Sequence, residues 1–480
     1  MDSIKNKLKK IPLEARASIA YTLCSILQNS LAFITLPLFT RLLTTEEYGQ
    51  YSIYSSWSAM LGIFLTLNLQ LGSFSKAMVK FEKTRNQYIA SIQGIALVLS
   101  VMFLALYLPF SRYWNKLFDL PTELMLLMVV EILSSMAIAL WSGKKRFELK
   151  YKGIVAVTLL TSLLAPLAAY LMVINSQEKG YARIFGYSGV TVVIGLFFFL
   201  YNLVKGKDIY QKEYWKYALG FNLPLIIYYI SQVIFNQSDR IMINHYCGKG
   251  EAAMYSVAYS LALVLTFVLN AINNSYVPWL YQKIKERKIE ENKKISIMIA
   301  ILMAVLLQGV IWIAPEFIEI MAGSSYRAAI WVVPPVATSA LLLLYTQLFV
   351  SVLFYFEEKK LLVYGSFFSA VLNIVLNIIF IPMFGFVAAG YTTLISYIAF
   401  AVCNYFAMLW AIRDEQWIKN AHSISGLLLL FVMFVVLSFV AQLLYDIMLV
   451  RYAIILCVFV CILIKHRLVI KVIRNIFNMN

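Results

Sequence analysis

The sequence predicts an all-α polytopic membrane protein of 14 transmembrane helices: two pseudo-symmetric six-helix lobes and two further C-terminal helices. Three observations predict it. The 480-residue chain is 61% hydrophobic, has a mean hydropathy of +0.77 and is only 14% charged, whereas soluble domains are about 25% charged. Fourteen apolar stretches approach the roughly 20 residues that cross a hydrocarbon core. The chain also repeats itself at an offset of about 204 residues.

The apolar stretches begin near Ala15, Gln50, Gln87, Thr122, Gly153, Tyr181, Lys212, Ala252, Lys294, Ala328, Leu361, Phe386, His422 and Leu449. The longest loops, near Tyr281 to Lys293 and Asp239 to Glu251, run to roughly 13 residues, too short for a soluble domain. In the repeat, Gln28 pairs with Gln232, Tyr51-Ser52 with Tyr255-Ser256, and Gly186-Tyr187 with Gly390-Tyr391. Leu61 and Leu65 fall on Leu265 and Leu269. Phe147-Glu148-Leu149-Lys150 and Phe356-Glu357-Glu358-Lys359 each close a fourth span. These matches place the first lobe at 1–208 and the second at 209–412, with an extra helix pair and basic tail at 413–480. Six spans separate equivalent positions, so the repeat is parallel, about an axis along the membrane normal.

Basic residues set the orientation. With both termini cytoplasmic, about 32 of the 41 Lys and Arg lie on the inner side and about 9 on the outer. The inner clusters are Lys5, Lys7, Lys9 and Lys10; Lys144, Lys145 and Arg146; Lys283, Lys285, Arg287 and Lys288; and Lys465, Arg467, Lys471 and Arg474. This bias accounts for most of the +17 net charge. Its scatter over many short loops argues against nucleic-acid binding. The N-terminus lacks a small-residue cleavage pattern before Tyr21 and reads as a span, not a cleaved signal. Cys24, Cys247, Cys403, Cys457 and Cys461 form no disulfide framework. His245, His422 and His466 show no metal-ligand spacing, and there is no glycine-rich phosphate loop. No metal or cofactor is expected.

Polar residues inside the spans mark the candidate site. Span one carries Gln28 and Asn29; span seven carries Asn222, Gln232 and Asn236. Amides need partners in hydrocarbon, so these face another helix or a wet cavity. Span two (Asn68, Gln70) and span eight (Asn270, Asn273, Asn274) add polar groups, which makes spans one, two, seven and eight the predicted cavity walls. Arg16, Arg41 and Arg240 sit at span ends; each presents a permanently charged fork suited to phosphate oxygens. Headgroup snorkelling, or an Arg240–Asp239 ion pair, is the structural alternative. Glu131, in mid-span, and Asp239 are the candidates for coupling to an ion. Pro37, Pro166, Pro224, Pro334, Pro335 and Pro382 lie in or beside spans and can bend them.

The segment Leu36-Pro37-Leu38-Phe39-Thr40-Arg41-Leu42-Leu43-Thr44-Thr45-Glu46-Glu47-Tyr48-Gly49-Gln50-Tyr51-Ser52 resembles the one after the first helix of Wzx-type polysaccharide flippases of the MOP exporter superfamily. Ser238-Asp239-Arg240-Ile241-Met242-Ile243 with Tyr255-Ser256-Val257-Ala258-Tyr259, and Gly385-Phe386-Val387-Ala388-Ala389-Gly390, resemble later parts of the same family. Met254 departs from it, where glycine is usual. The resemblance implies translocation of undecaprenyl-pyrophosphate-linked oligosaccharide across the bacterial inner membrane by alternating access, without covalent chemistry. It implies arginines on the pyrophosphate and amides on the sugars. The partners it implies are the lipid-linked oligosaccharide, membrane lipids, and the polymerase and glycosyltransferases of an O-antigen or capsule pathway. A cation-coupled multidrug efflux transporter of the same fold is the competing reading, and needs carboxylates in the cavity. A polymerase or ligase needs a large outer loop with catalytic Arg or His, which this sequence lacks.

Overall fold

A computed structural model describes residues 13–356, 358–418 and 421–464. The predicted basic clusters Lys5, Lys7, Lys9, Lys10 and Lys465, Arg467, Lys471, Arg474, together with His466 and Glu357, lie outside the described residues. The described residues are helical, with no strand among them. Twelve helical stretches among them are long and apolar enough to cross a membrane, two fewer than predicted. The predicted second and fourteenth spans are helices, but Thr45–Thr66 is studded with Tyr, Ser and Glu, and Met448–Ile464 has only 17 residues. Contacts divide the chain into two compact units, Met1–Ile241 and Met242–Asn480. That division falls inside the seventh span, whereas the repeat divides the sequence before it.

The first unit begins with α1 (Leu13–Leu42), which continues through Pro37. The turn to α2 (Thr45–Thr66) is closed by a capping box. Thr44 Oγ1 accepts from the Glu47 amide at 3.2 Å, and Glu47 Oε2 accepts from the Thr44 amide at 2.8 Å. Such a cap contributes about 1 kcal/mol and sets where the helix starts. Helix α2 ends on two left-handed residues, Leu67 and Asn68, at φ of 48°. There follow α3 (Phe74–Lys80), α4 (Arg85–Tyr107), α5 (Ser111–Phe118), α6 (Thr122–Phe147), α7 (Tyr151–Ile174), α8 (Lys179–Gly206) and α9 (Lys212–Asn222). Pro224 breaks the seventh span: a 3-10 turn at Leu223–Leu225 separates α9 from α10 (Ile226–Tyr246). The other predicted breaks differ in kind. Pro166 and Pro382 lie inside continuous helices, while Pro334 and Pro335 open one, where their missing N–H costs nothing.

Helix α8 is the keel of this unit, packed on both α6 and α7. Two glycines permit it. A Cβ on Gly195 would lie 2.3 Å from Ser134 Cβ on α6, and one on Gly186 would lie 2.4 Å from Ala169 Cα on α7. With no hydrophobic effect between helices in lipid, such backbone approach supplies the van der Waals attraction.

The second unit continues with α11 (Lys249–Ala262), α12 (Thr266–Lys285), α13 (Glu290–Trp312), α14 (Ala314–Ala322), α15 (Val333–Tyr355), α16 (Lys359–Phe384), α17 (Val387–Ala411), α18 (Ile424–Leu443) and α19 (Met448–Ile464). Helix α17 packs on α15 and α16, as α8 packs on α6 and α7. Helix α15 is apolar around its circumference and buried along nearly its whole length, the pattern of a central helix. Helix α18 lies against α13 and α15. Hydrogen bonds fix it there: Gln308 Nε2 donates to the Phe434 carbonyl at 2.8 Å, and Tyr345 donates to that of Leu427 at 3.1 Å. Its other face exposes Leu428, Leu429, Val432, Val436 and Phe439, as a lipid-facing helix does.

Gly195→Val forces α8 off Ser134, and overpacking of this kind costs about 1–3 kcal/mol. The expected result is a lowered thermal unfolding midpoint for the purified protein; an unchanged midpoint refutes the close approach. A second prediction concerns Glu148, just past α6. Burial pushes its carboxyl upward, but hydrogen bonds from Lys150 and Lys145 and the charge of Lys144 win, bringing it to about 2. A carboxyl lowered in the fold contributes stability above its ordinary value of 4.5, lost as pH falls toward 2. Glu148→Gln therefore destabilises at neutral pH, and its deficit relative to the parent disappears as the pH drops through that window.

Candidate functional site

A cavity of about 510 Å³ opens within the first unit. Its walls come from α2, α6, α8 and α10 and the turn after α2. On α2, Tyr51, Tyr54, Ser55, Ser58, Gly62 and Thr66 line it. They recur at helical spacing, so one stripe of the helix carries hydroxyls. Asn68 and Gln70 reach the wall because the helix ends in left-handed residues. Gln70 Nε2 donates to Asn68 Oδ1 at 3.3 Å, while Gln70 Oε1 is buried with no partner among the described residues.

Glu131, from the middle of α6, is the ionisable group of this cavity. Its Oε2 accepts from Tyr54 Oη at 2.7 Å and from Ser188 Oγ of α8 at 2.8 Å. Three helices thus meet on one carboxylate oxygen. Behind this wall Arg183 is only 5% exposed. Its guanidinium lies 4.0 Å from the ring centroid of Tyr51, 4.1 Å from Tyr48 and 4.6 Å from Phe39. Nε and Nη1 have no hydrogen-bond partner among the described residues, so ring quadrupoles supply much of its solvation. A permanent positive charge and a carboxyl group therefore share one unit, with Tyr51 touching both the cavity and the arginine.

The predicted site residues are distributed unevenly. Glu131, Asn68 and Gln70 line the cavity. Arg240 is linked to α2: it donates to the Asn236 carbonyl at 2.6 Å and to Gln237 Oε1 at 3.0 Å, and Gln237 Oε1 also accepts from Ser56 of α2 at 3.1 Å. Gln232 and Asn236 are half-buried on the same helix, where the Asn236 amide donates to the Gln232 carbonyl at 2.7 Å. Asp239 is buried. Asn222 is fully buried in the packing, donating to Ser73 Oγ at 2.8 Å and to the Ala218 carbonyl at 3.0 Å. Arg16 is half-buried and Arg41 exposed, with Gln28 and Asn29 exposed on α1 between them. At 1.5 Å per residue, Arg16 and Arg41 stand about 37 Å apart along α1. One pyrophosphate cannot contact both at once. Among the described residues, α1 lends none to the lining of this cavity, whose further walls are α6 and α8.

Tyr54, Ser188 and Arg183 join the site only in the fold. The serine and tyrosine stripe of α2 was visible in the spacing, but only the fold brings Ser188 to Glu131. Hydrogen bonds to a carboxylate are worth about 1.5–3 kcal/mol each. Tyr54→Phe and Ser188→Ala should each lower stability by that order. Because both donate to one oxygen, either alone still holds it, and the double variant, which strips it, should lose more than the sum. Chemical denaturation of the four proteins measures this, and strict additivity counts against a shared site.

The chain is 23% identical over 382 residues to protein 1 of the Lsg locus of Haemophilus influenzae, covering 74% of this chain and 88% of that protein. Among solved structures it is similar to the lipid II flippase MurJ in an inward closed conformation. There the TM-score is 0.65 and the identity 14%, over 94% of this chain and all of that one. It is also similar to an inward-facing multidrug resistance MATE family transporter of the MOP superfamily. The TM-score is 0.59 and the identity 14%, over 82% and 96% of the two chains. These likenesses establish the fold. Residues 15–284 match the family described as polysaccharide biosynthesis protein. Since that match takes in more than half of the chain, this multi-pass membrane protein belongs to the polysaccharide biosynthesis protein family.

Proposed function

We propose that the protein is a flippase for lipid-linked oligosaccharide. It moves undecaprenyl-pyrophosphate-linked repeat units from the inner to the outer leaflet of the bacterial inner membrane, for O-antigen, capsule or a related polymer. The observation that carries this reading is a polysaccharide-biosynthesis sequence on a MOP-type transporter fold. The lobes 1–208 and 209–412 alternate in exposing the substrate, with both termini cytoplasmic. No covalent step is involved, and no cofactor. The polymerase and glycosyltransferases of the pathway are the partners expected.

The geometry suits such a cargo. The hydroxyls and amides of the first-unit cavity match sugar hydroxyls, which both donate and accept. In this reading Arg16 and Arg41, far apart along α1, serve different stages: Arg16 meets the pyrophosphate on the inner side, and Arg41 and Arg240 on the outer. Gln28, Asn29, Gln232 and Asn236 contact the sugars, while Asn222 holds Ser73 in place. Glu131 binds and releases the coupling ion, with Asp239 as the second candidate. A cation-coupled multidrug exporter is the alternative, favoured by the Glu131 carboxyl in the cavity wall and by the likeness to the MATE transporter.

Arg41→Ala or Arg240→Ala should cut surface polymer about 10–100-fold at normal protein level, the worth of a charge-assisted hydrogen bond of roughly 1.5–3 kcal/mol. Unchanged polymer overturns the pyrophosphate role. Lysine restores function where charge dominates and fails where the bidentate fork is needed. Glu131→Gln should abolish ion-driven transport in proteoliposomes; full activity removes Glu131 from coupling. Export of cationic dyes without movement of lipid-linked sugar establishes the alternative.

A further inference from the structure

A second cavity, of about 300 Å³, lies in the second unit, between the α14 region and the turn joining α18 to α19. Arg451, from the first turn of α19, is 2% exposed and lines it. One of its nitrogens, Nη2, is bonded to Glu316 Oε1. Tyr452 donates to that same oxygen at 2.8 Å. The pairing leaves groups unspent: Arg451 Nε and Nη1 and Glu316 Oε2 are all buried without a hydrogen-bond partner among the described residues. A guanidinium has five donors, and a buried one left short is costly. Nine-tenths burial of a charged group at the edge of a cavity, with donors and an acceptor both idle, describes a site awaiting a ligand that can donate and accept.

The chemistry of the lining narrows the ligand. Glu316, Glu319 and Asp446 bring three carboxylates against the two guanidiniums of Arg327 and Arg451, so an anion meets net repulsion. No cluster of three or more His, Cys, Asp or Glu that could hold a metal occurs among the described residues. An apolar ligand would leave the idle charges unsatisfied. A neutral hydroxyl compound satisfies both sides: one hydroxyl accepts from Arg451 while it or its neighbour donates to Glu316 Oε2. Tyr445 lines the same wall, its ring packed against Arg451 at 5.9 Å and Trp331 at 5.5 Å, and the volume, at the lower end of the about 300–1,000 Å³ of small-molecule pockets, suits one pyranose. The geometry points to a binding site for a single neutral sugar residue, formed by Arg451, Glu316 and Tyr445. Its place on the outer side, where a translocated sugar would emerge, rests on the flippase reading and its topology; the site itself does not.

The test uses the full chain in lipid nanodiscs, free of glycoside detergent. Trp331, whose ring centroid is 5.5 Å from that of Tyr445, reports on the site by fluorescence. The probes are the methyl glycosides of glucose, galactose, N-acetylglucosamine and N-acetylgalactosamine, with glycerol and inorganic phosphate for comparison. At least one glycoside is expected to give a saturable change that disappears in Trp331→Phe. Glu316→Gln keeps Oε1 for Arg451 and Tyr452 but replaces the idle acceptor with a donor, and should weaken that glycoside about tenfold or more. Ser324→Leu, at the exposed rim, should weaken it by filling the cavity without touching the ion pair. No saturable change with any glycoside, a change that survives Trp331→Phe, indifference to both variants, or stronger binding of phosphate or glycerol each overturns the assignment. Glycoside binding here with no lipid-linked sugar transported in proteoliposomes sinks the flippase reading and leaves the site standing.

Discussion

The constraint on which this structure depends is that a polar group inside a bilayer must find its partner within the protein. The chain carries an uncommon load of such groups: a mid-span glutamate, two nearly buried arginines, and rows of serine, tyrosine and asparagine. The fold meets the demand by convergence. Glu131 is reached from α2 by Tyr54 and from α8 by Ser188, so one carboxylate oxygen fixes three helices relative to one another. That junction requires α8 to lie close to α6, and Gly195 is what allows it.

Two arginines solve the same problem by different means. Arg183 has aromatic rings on three sides and idle nitrogens, an arrangement that keeps a full charge but leaves it available electrostatically behind Tyr51. Arg451 has a carboxylate, but one engaged through a single oxygen. Both avoid the bidentate pairing that would neutralise them most completely. In a protein proposed to pass sugars and phosphates, charge held ready but not cancelled is a functional asset, and stability is supplied instead by packing such as that of α15 and α17.

The repeat is legible at both levels. Tyr51 and Tyr187, each a member of a repeated pair, have rings 5.6 Å apart in the first unit. Gly186 and Gly390, equivalent by offset, are both close-approach positions, against Ala169 and the Pro335 ring respectively. The partners differ because the same close packing is met on α7 in one case and on α15 in the other. Small residues at fixed offsets therefore report helix contact surfaces in a membrane protein more reliably than they report which neighbour is met.

Composition and hydrophobic length were enough to determine a helical membrane protein and roughly where its long apolar stretches begin, because a bilayer core sets a minimum length for a helix that crosses it. The glutamate at mid-span and the polar end of α2 were likewise readable, since burial of charge has no cheap explanation there. What tertiary structure alone decided was convergence. Ser188 follows Glu131 by 57 residues and Glu316 precedes Arg451 by 135, and nothing local in the chain records those meetings. They arise from which helix faces pack together, a property of backbone approach and side-chain shape summed over whole helices.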